Sequence, residues 1–327
     1  MNHQHSADPM RRQILKGVAS AVAAVTLPAR AQMTNALRLV LPFSPGGPTD
    51  AAARSIAASM SNHLGQAIVV ENKAGANGAI AASFVAKSPA DGNTLLYHTS
   101  AFTLEAALSK APAYDPSTDF TYVGLTTSAP LVLLVHPDFP ARTPADFIAR
   151  LKAAPGRFNY GAVIRSIVHV APEQLFHALG VKAVAVPYKG TAPALVDLMA
   201  GQLQFAFDAV NSALPHVRGG RVRALAIASR ERSPVLPEVA TFAETVLPGF
   251  EAGTWGAIMG PAGVPSDRIA RLHLALVRTL QEPAFRSQLE SQGLRILGGT
   301  PEQCREFVAH DVARWKQVAA TTNLPTE

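Results

Sequence analysis

A segment near the start of the chain has the composition of an anion-binding loop. Pro42–Asp50 reads Pro-Phe-Ser-Pro-Gly-Gly-Pro-Thr-Asp and lies between a strand-like run and a helical one. Its two glycines allow a tight turn and a close approach of the backbone to a ligand. The helix that follows directs unpaired N–H groups and the positive end of its dipole into the loop. An anion is the natural guest at such a position.

The same loop lacks the Gly-Lys-Ser/Thr of a nucleotide P-loop and the Gly-x-Gly-x-x-Gly of a dinucleotide site. A carboxylate or a simple oxyanion fits it better than a nucleotide. The candidate ligand-binding residues here are Ser44, Gly46, Gly47, Thr49 and Asp50. The alternative is that Thr49 or Asp50 only caps the helix and that the glycines only make a turn.

Catalytic patterns are sparse elsewhere in the sequence. It contains no Gly-x-Ser-x-Gly, no His-Glu-x-x-His and no spaced Cys/His cluster. We therefore expect no catalytic residue, no metal and no cofactor. Cys304 lies in the first turn of a predicted helix, where a thiol pKa could fall, although a packing role is the ordinary alternative. The histidines that could act as ligands stand singly, at His136, His169, His177 and His216.

Asp208 is a stronger candidate because it ends an apolar strand, Gln204 to Ala209. The carboxyl ends of strands in α/β sheets face the crevice where ligands bind. We therefore include Asp208 among the ligand-binding residues.

Strand-like apolar runs alternate with amphipathic helical stretches along the whole chain, which predicts an α/β fold with mostly parallel strands. Two helix starts carry clear caps, at Thr143 with Asp146 and at Thr300 with Gln303. A further helix is predicted from Ser266. The predicted strands are 37–43, 67–71, 94–98, 158–161, 183–187, 204–208 and 223–228.

Residues 1–31 are typical of an export signal peptide. A basic stretch with Arg11, Arg12 and Lys16 precedes the apolar run 17–27, and Ala29-Arg30-Ala31 is a small-x-small cleavage pattern. We expect cleavage near Ala31 and a periplasmic location. The basic stretch also resembles a twin-arginine signal, so that route and the general export route are alternatives. No apolar run is long enough for a transmembrane helix.

Charge and cysteine content limit the classes of ligand and of covalent cross-link that the sequence allows. Cys304 is the only cysteine, so there is no internal disulfide. The pI is about 9.7, but without residues 1–31 the chain has 25 basic and 22 acidic residues, a net charge of +3. That excess is too small to predict nucleic-acid binding, and it mildly favours anionic ligands. Removal of 31 residues from 327 leaves about 296, a length that usually divides into two domains.

An ordered set of short motifs resembles one family. The set comprises Leu39–Gly47 with Asp50 and Arg54, Val69–Lys73 with Gly75 and Gly78, Asp91–Leu96, Phe158–Gly161, Val186–Gly190 with Ala192–Ala194, Arg223–Ala226, and Gly298–Glu302. In this order they resemble the Bug-type (TctC-like) periplasmic receptors of tripartite tricarboxylate transporters. Single pieces are unspecific, but the ordered set spans nearly the whole chain after residue 31.

The resemblance implies a two-lobed periplasmic-binding-protein fold of type II-like form, with two strands crossing between the lobes. We expect the crossings near 129–131 and 253–255. Lobe 1 then comprises residues 32–130 and 254–327, and lobe 2 comprises 131–253.

The resemblance also implies that two loops, one from each lobe, hold a ligand carboxylate. The first loop is Ser44 to Asp50 and the second begins after Tyr160-Gly161. The second departs from the family pattern, because bulky residues stand in 162–169 where the family has serines, glycines and a threonine. Arg165 then either pairs with a carboxylate or points to solvent. The resemblance adds six candidate ligand-binding residues, which are Ser100, Gly161, Ala162, Val163, Arg165 and Ser166.

The implied function is capture of a small carboxylate, aromatic or dicarboxylic among others, and its delivery to the permease subunits of such a transporter by a monomeric receptor. Two alternatives stay open at this point. One is a sensor module for a membrane kinase. The other is a secreted enzyme that uses Asp208 or His169 as a base.

Overall fold

A computed structural model of the protein describes residues 36–322. The predicted signal peptide and its cleavage site lie outside the described residues. The strands are β1 (Leu37–Leu41), β2 (Ile68–Asn72), β3 (Thr94–Thr99), β4 (Phe120–Val135), β5 (Asn159–Ala162), β6 (Val184–Pro187), β7 (Phe205–Ala209), β8 (Arg223–Ile227), β9 (Gly253–Pro261) and β10 (Arg295–Ile296).

Helices alternate with these strands and give the predicted α/β arrangement. They are α1 (Pro48–Leu64), α2 (Ala79–Ala86), α3 (Ala101–Leu108), α4 (Pro144–Ala153), α5 (Ile167–Leu179), α6 (Thr191–Met199), α7 (Val210–Arg218), α8 (Phe242–Thr245), α9 (Ser266–Gln281), α10 (Pro283–Ser291) and α11 (Pro301–Thr322). A short 3-10 helix, Ala76–Gly78, precedes α2. Within residues 36–322 none of the helices has both the length and the apolar character needed to span a bilayer.

The local signals of the sequence explain several element ends. Thr143 accepts a hydrogen bond from Asp146 N, and Asp146 accepts one from Thr143 N, which forms the predicted capping box. Thr300 and Gln303 make the equivalent pair of bonds at the start of α11. The first strand is shorter than predicted and ends at Leu41, because the proline that follows has no N–H for the strand ladder.

The strands form one continuous sheet in the order β2-β1-β3-β9-β4-β7-β5-β6, with β8 and β10 also paired to β4. Pairing is parallel where β1 meets β2 and β3, and where β5 meets β6 and β7. Both β4 and β9 run antiparallel to every strand they pair with. The expectation of mostly parallel strands is therefore wrong. A chain that leaves one half of a sheet by β4 and returns by β9 must run in opposite directions along them.

β4 divides the sheet into two halves. Residues 120–130 of β4 pair with β9, and Leu131–Val135 pair with β7 and β8. At the change, Leu131 N donates to Ala252 O, and Ala252 N donates to Ala228 O. We call the half with β1, β2, β3, β9 and β10 the first lobe, and the half with β5, β6, β7 and β8 the second lobe. The fold is the two-lobed periplasmic-binding-protein fold that the resemblance implied.

Each lobe has its own apolar core. Leu39, Ile56 and Ile258 pack together in the first lobe, and Phe147 and Phe205 belong to a core of the second lobe. The second-lobe core also takes up Leu104 and Leu108 of α3, and Trp315 and Val318 of α11. Both helices thus lie where the lobes meet. The residue boundaries at 130 and 254 stay a prediction.

Candidate functional site

A cavity of about 840 Å³ lies between the lobes, at the carboxyl ends of β1, β3, β5, β6 and β7. This is the edge of an α/β sheet at which ligands bind. The wall is formed by residues of the loops after these strands, by residues 74–78, and by Leu131 and Thr254 of the crossing strands. A cavity of this size accommodates a small organic ligand with space for an aromatic ring.

Helix N-termini from both lobes converge on the cavity. Residues at or next to the starts of α1, α2, α3, α5 and α6 line it. The first N–H groups of a helix have no partner within the helix, and they carry the positive end of its dipole. Several such ends around one cavity produce a positive potential there. The site is therefore suited to an anion.

Ser44 and Thr49 of the first loop line the cavity, whereas Gly46, Gly47 and Asp50 do not. Asp50 instead holds the loop in position through hydrogen bonds outside the cavity. Its carboxylate accepts hydrogen bonds from Arg54 Nε at 2.9 Å, from Asn72 Nδ2 at 2.8 Å and from Gly46 N at 3.1 Å. These bonds, led by the one from Arg54, lower the pKa of Asp50 to about 2. Asp50 stays ionised at physiological pH and positions the loop.

In the second loop, Val163 and Ser166 line the cavity together with Ile164, Ile167 and Val168. The Ser166 hydroxyl donates to Val163 O at 2.7 Å and closes the turn before α5.

Two more candidates of the second loop, Gly161 and Ala162, lie behind the cavity wall. A Cβ on Gly161 would be only 2.6 Å from the Cβ of Ala194, so close packing with α6 requires a glycine there. Ala162 is buried among core residues of the second lobe. In this structure both residues support the wall and do not form it.

Arg165 does not line the cavity, and it does not point freely into solvent either. Its Nη2 atom lies 3.4 Å from Oε2 of Glu105 on α3, and the two side chains are only 17% and 12% exposed. Its backbone has a left-handed φ of 64°. We expected this guanidinium to be free to bind a carboxylate. In the structure it is instead paired with Glu105.

Two candidate residues outside these loops also reach the cavity. Ser100 lines it at the start of α3, and its hydroxyl is 3.3 Å from that of Thr254 on the crossing strand β9. Asp208 lines it at the end of β7, as the strand-end rule predicts. Burial raises the pKa of Asp208 to about 6, against the opposing effect of hydrogen bonds from Ser212 and from Ala209 N.

Residues 75–78 form a part of the wall that the sequence did not assign. All four have a positive φ, from 132° at Gly75 through 47° and 49° at Ala76 and Asn77 to 97° at Gly78. Non-glycine residues in this region carry local strain, which concentrates at functional sites. At Gly78 a Cβ would lie 2.4 Å from Nε2 of the buried His98. The spacing of Gly75 and Gly78 was the available signal.

Lys189 is a further cavity-lining residue that was not predicted from the sequence. It is exposed and lines the cavity just before α6. The available signal was Gly190-Thr191-Ala192-Pro193, a loop glycine followed by a helix start.

Comparison with known proteins identifies the family. Residues 52–324 match the family model described as "Tripartite tricarboxylate transporter family receptor". The chain belongs to this family. It is 37% identical over 309 residues to the protein BugT of Bordetella pertussis, covering 94% of this chain and 93% of BugT. It is 34% identical over 321 residues to a UPF0065 protein from the tcbD-tcbE intergenic region of a Pseudomonas species, covering 96% and 95%.

Solved structures of related proteins share the fold. The periplasmic binding protein BugD superposes with a TM-score of 0.81 at 32% identity, covering 89% of this chain and 99% of BugD. R. palustris Rpa4515 with adipate gives 0.83 at 35% identity, with 89% and 98% covered. MatC from Rhodopseudomonas palustris with bound malate gives 0.77 at 36% identity, with 86% and 98% covered. The resemblance read from the motifs is confirmed.

Other reactive groups of this receptor are poorly placed for chemistry. Cys304 is buried, which raises the pKa of its thiol to about 12, so it fits the packing role and not an activated thiol. His169 is buried behind the second loop, where its Nδ1 accepts from Arg165 N at 3.3 Å, and burial lowers its pKa. Residues 36–322 contain no group of three or more His, Cys, Asp or Glu side chains arranged to hold a metal ion.

Proposed function

We propose that this receptor captures a small carboxylate in the cavity between its lobes and delivers it to the permease subunits of a tripartite tricarboxylate transporter. The observation that carries the proposal is the convergence of helix N-termini from both lobes on one cavity. The adipate and malate bound to the related R. palustris proteins support a carboxylate as the ligand. The anion-binding interpretation of the first loop points the same way.

Binding is followed by lobe closure in the proposed mechanism. One carboxylate oxygen takes donors from the first lobe, at Ser44 and Thr49. The other takes donors from the second lobe, at the first N–H groups of α5, those of Ile167 and Val168. Contacts from both lobes favour the form in which the lobes are close together, because only that form satisfies both sets at once. The permease then recognises the closed surface.

We also propose a location and an oligomeric state for the protein. Export by the segment 1–31 places a monomeric receptor in the periplasm, where its homologues work. No chemical step is included. The family is a receptor family. Of the two alternative bases, His169 does not line the cavity, and Asp208, which does, is assigned a binding role.

A thermal-shift screen with carboxylates and their amides tests the proposal. Each carboxylate, such as succinate or benzoate, is paired with its neutral amide. A carboxylate at 100 times its dissociation constant adds ~2.7 kcal/mol to the free energy of unfolding, a rise of several degrees. We expect such a rise for at least one carboxylate and not for its amide, with the ligand recovered unchanged by NMR. Stabilisation by amides only, or turnover of the ligand, would refute the proposal.

Matched tryptophan substitutions on α1 place the binding in the cavity. Thr49→Trp fills the wall of the cavity and should abolish the carboxylate-induced shift. Ala51→Trp, two residues further on the same helix, is exposed and does not line the cavity, so it should keep the shift. Equal shifts in both variants would show that the carboxylate binds elsewhere.

A further inference from the structure

The cavity contains one acid that no cation neutralises. Among the described residues that line it, the charged side chains are Asp208 and Lys189. Asp208 is only 4% exposed, whereas Lys189 is exposed. Among residues 36–322 no arginine, lysine or histidine lies within ion-pair distance of the Asp208 carboxylate.

Two other acids near the cavity, the buried Asp50 and the partly buried Glu105, differ from Asp208 in this respect. Asp50 is paired with Arg54, and Glu105 is paired with Arg165. Asp208 has only neutral donors: Ala209 N at 2.8 Å from Oδ1, the Ser212 hydroxyl at 2.7 Å from Oδ2, and the side chain of Thr191. A buried carboxylate without a cation is costly unless further donors reach it.

The carboxylate has capacity for such donors. An ionised carboxylate offers about four lone-pair positions. The donors Ala209 N, Ser212 and Thr191 leave about one of them for a further donor. The cavity is the open side from which further donors can come. A ligand's own carboxylate would be repelled there and would be drawn to the helix N-termini.

We propose that Asp208 determines the ligand's second polar group, so that the receptor prefers carboxylates that also carry a hydroxyl or an ammonium group. This inference rests on the proposed function and narrows it to hydroxy acids and amino acids. The donor group lies at Asp208 on the second-lobe wall, and the carboxylate lies among the helix N-termini. The raised pKa of Asp208 is consistent with a group that lacks such a donor in the unliganded protein.

Isothermal titration with two matched series tests this preference in the wild-type protein. One series is succinate, malate and aspartate, and the other is 3-phenylpropionate, 3-phenyllactate and phenylalanine. Within a series only the group on one carbon changes, from hydrogen to hydroxyl to ammonium. In the series that binds, we expect the donor-bearing members to bind about tenfold tighter or more than the parent, because hydrogen bonds to charged groups are strong.

The variant Asp208→Asn separates selection from a purely structural role. The amide oxygen still accepts from a hydroxyl, but the charge is lost. We expect the ammonium ligand to lose about tenfold more affinity than the hydroxyl ligand. A structural role would weaken all members of a series equally. Asp138→Asn, an exposed acid of the second lobe, is the control and should leave every ratio unchanged.

The outcomes distinguish this inference from the proposed function. Parent acids that bind as tightly as their hydroxy and amino derivatives would overturn the inference while leaving carboxylate capture intact, and this needs no variant. Unchanged ratios in a folded Asp208→Asn protein would also overturn it. If neither series binds and no carboxylate shifts the melting temperature, the proposed function fails and the inference with it.

Discussion

Arg165 and Glu105 form an ion pair between the two sides of the cleft. Arg165 belongs to the loop between β5 and α5 in the second lobe, and Glu105 belongs to α3, which follows β3 of the first lobe. The residues on both sides of Arg165, Ile164 and Ser166, line the cavity. The pair thus joins the lobes directly beside the ligand site. We expect it to stabilise the form of the protein in which the lobes are close together.

We predict that Glu105→Gln speeds ligand release. The pair is mostly buried, so its loss should cost about 1 kcal/mol or more and raise the dissociation rate about fivefold. Stopped-flow measurement with the carboxylate that gives the largest thermal shift provides this rate. A double-mutant cycle with Arg165→Gln should give a coupling energy of similar size.

Glu290→Gln is the control for this prediction. It breaks an exposed pair with Arg286 within α10 and should leave the release rate unchanged. A coupling energy of zero between Glu105 and Arg165 would show that the pair does not contribute to closure.

The stability of Asp208→Asn relative to wild type should depend on pH. Burial raises the folded pKa of Asp208 from 3.8 to about 6, so the folded state holds this proton more tightly than the unfolded state. Wild-type stability therefore falls as pH rises through this window. The variant has no carboxylate at this position and does not lose stability in this way. Its free energy of unfolding relative to that of wild type should therefore rise by about 2 to 3 kcal/mol between pH 4 and pH 7. Urea unfolding at several pH values measures it, and a difference that does not vary with pH would contradict the assignment.

Asp50→Asn should behave in the opposite direction. The pKa of Asp50 is lowered to about 2, mainly by its hydrogen bond with Arg54. The carboxylate stabilises the fold above its unfolded pKa near 3.8, and this contribution is lost as pH falls to about 2. The variant should be less stable than wild type at pH 6, and the difference should shrink towards pH 2. A wild-type advantage that persists at pH 2 would show that the charge is not responsible.

Gly78→Ala should destabilise the protein by more than the cost of placing an alanine at a positive φ. Its Cβ would lie 2.4 Å from His98 Nε2 and 3.2 Å from Pro42 Cβ, at a φ of 97°. Gly156→Ala is the matched control, since its φ of 72° is also positive but nothing lies within 4 Å. We expect the control to lose about 1 kcal/mol and Gly78→Ala to lose about 1 to 3 kcal/mol more, measured by urea unfolding. Equal losses would mean that the wall residues 75–78 tolerate the added methyl group.

Much of the fold was accessible from sequence because its signals are local. Proline, glycine and capping residues mark where helices begin and end, as at Thr143 and Thr300. The strand-end rule placed Asp208 on the cavity, since the end of a strand is a local property and the cleft lies at strand ends. Strand direction was not accessible, because alternating apolar runs do not show that β4 and β9 run antiparallel to their neighbours.

The composition of the site was only partly predictable for a related reason. Arg165 was expected to be free, and only the tertiary structure brings Glu105 to it from 60 residues away. Gly161 was a candidate ligand-binding residue, but α6 packs against it. Lys189 and residues 75–78 reach the cavity because their loops follow neighbouring elements in space.

A crystal structure with the tightest-binding carboxylate would show directly where the ligand binds. We predict that its carboxylate lies between the lobes, about 3 Å from donors of Ser44 or Thr49 and of Ile167 or Val168. The competing location is a smaller cavity of about 290 Å³ beside the crossing strands, which is lined by Arg295, His310 and Arg314. A carboxylate found there, with the larger cavity empty of it, would contradict the account.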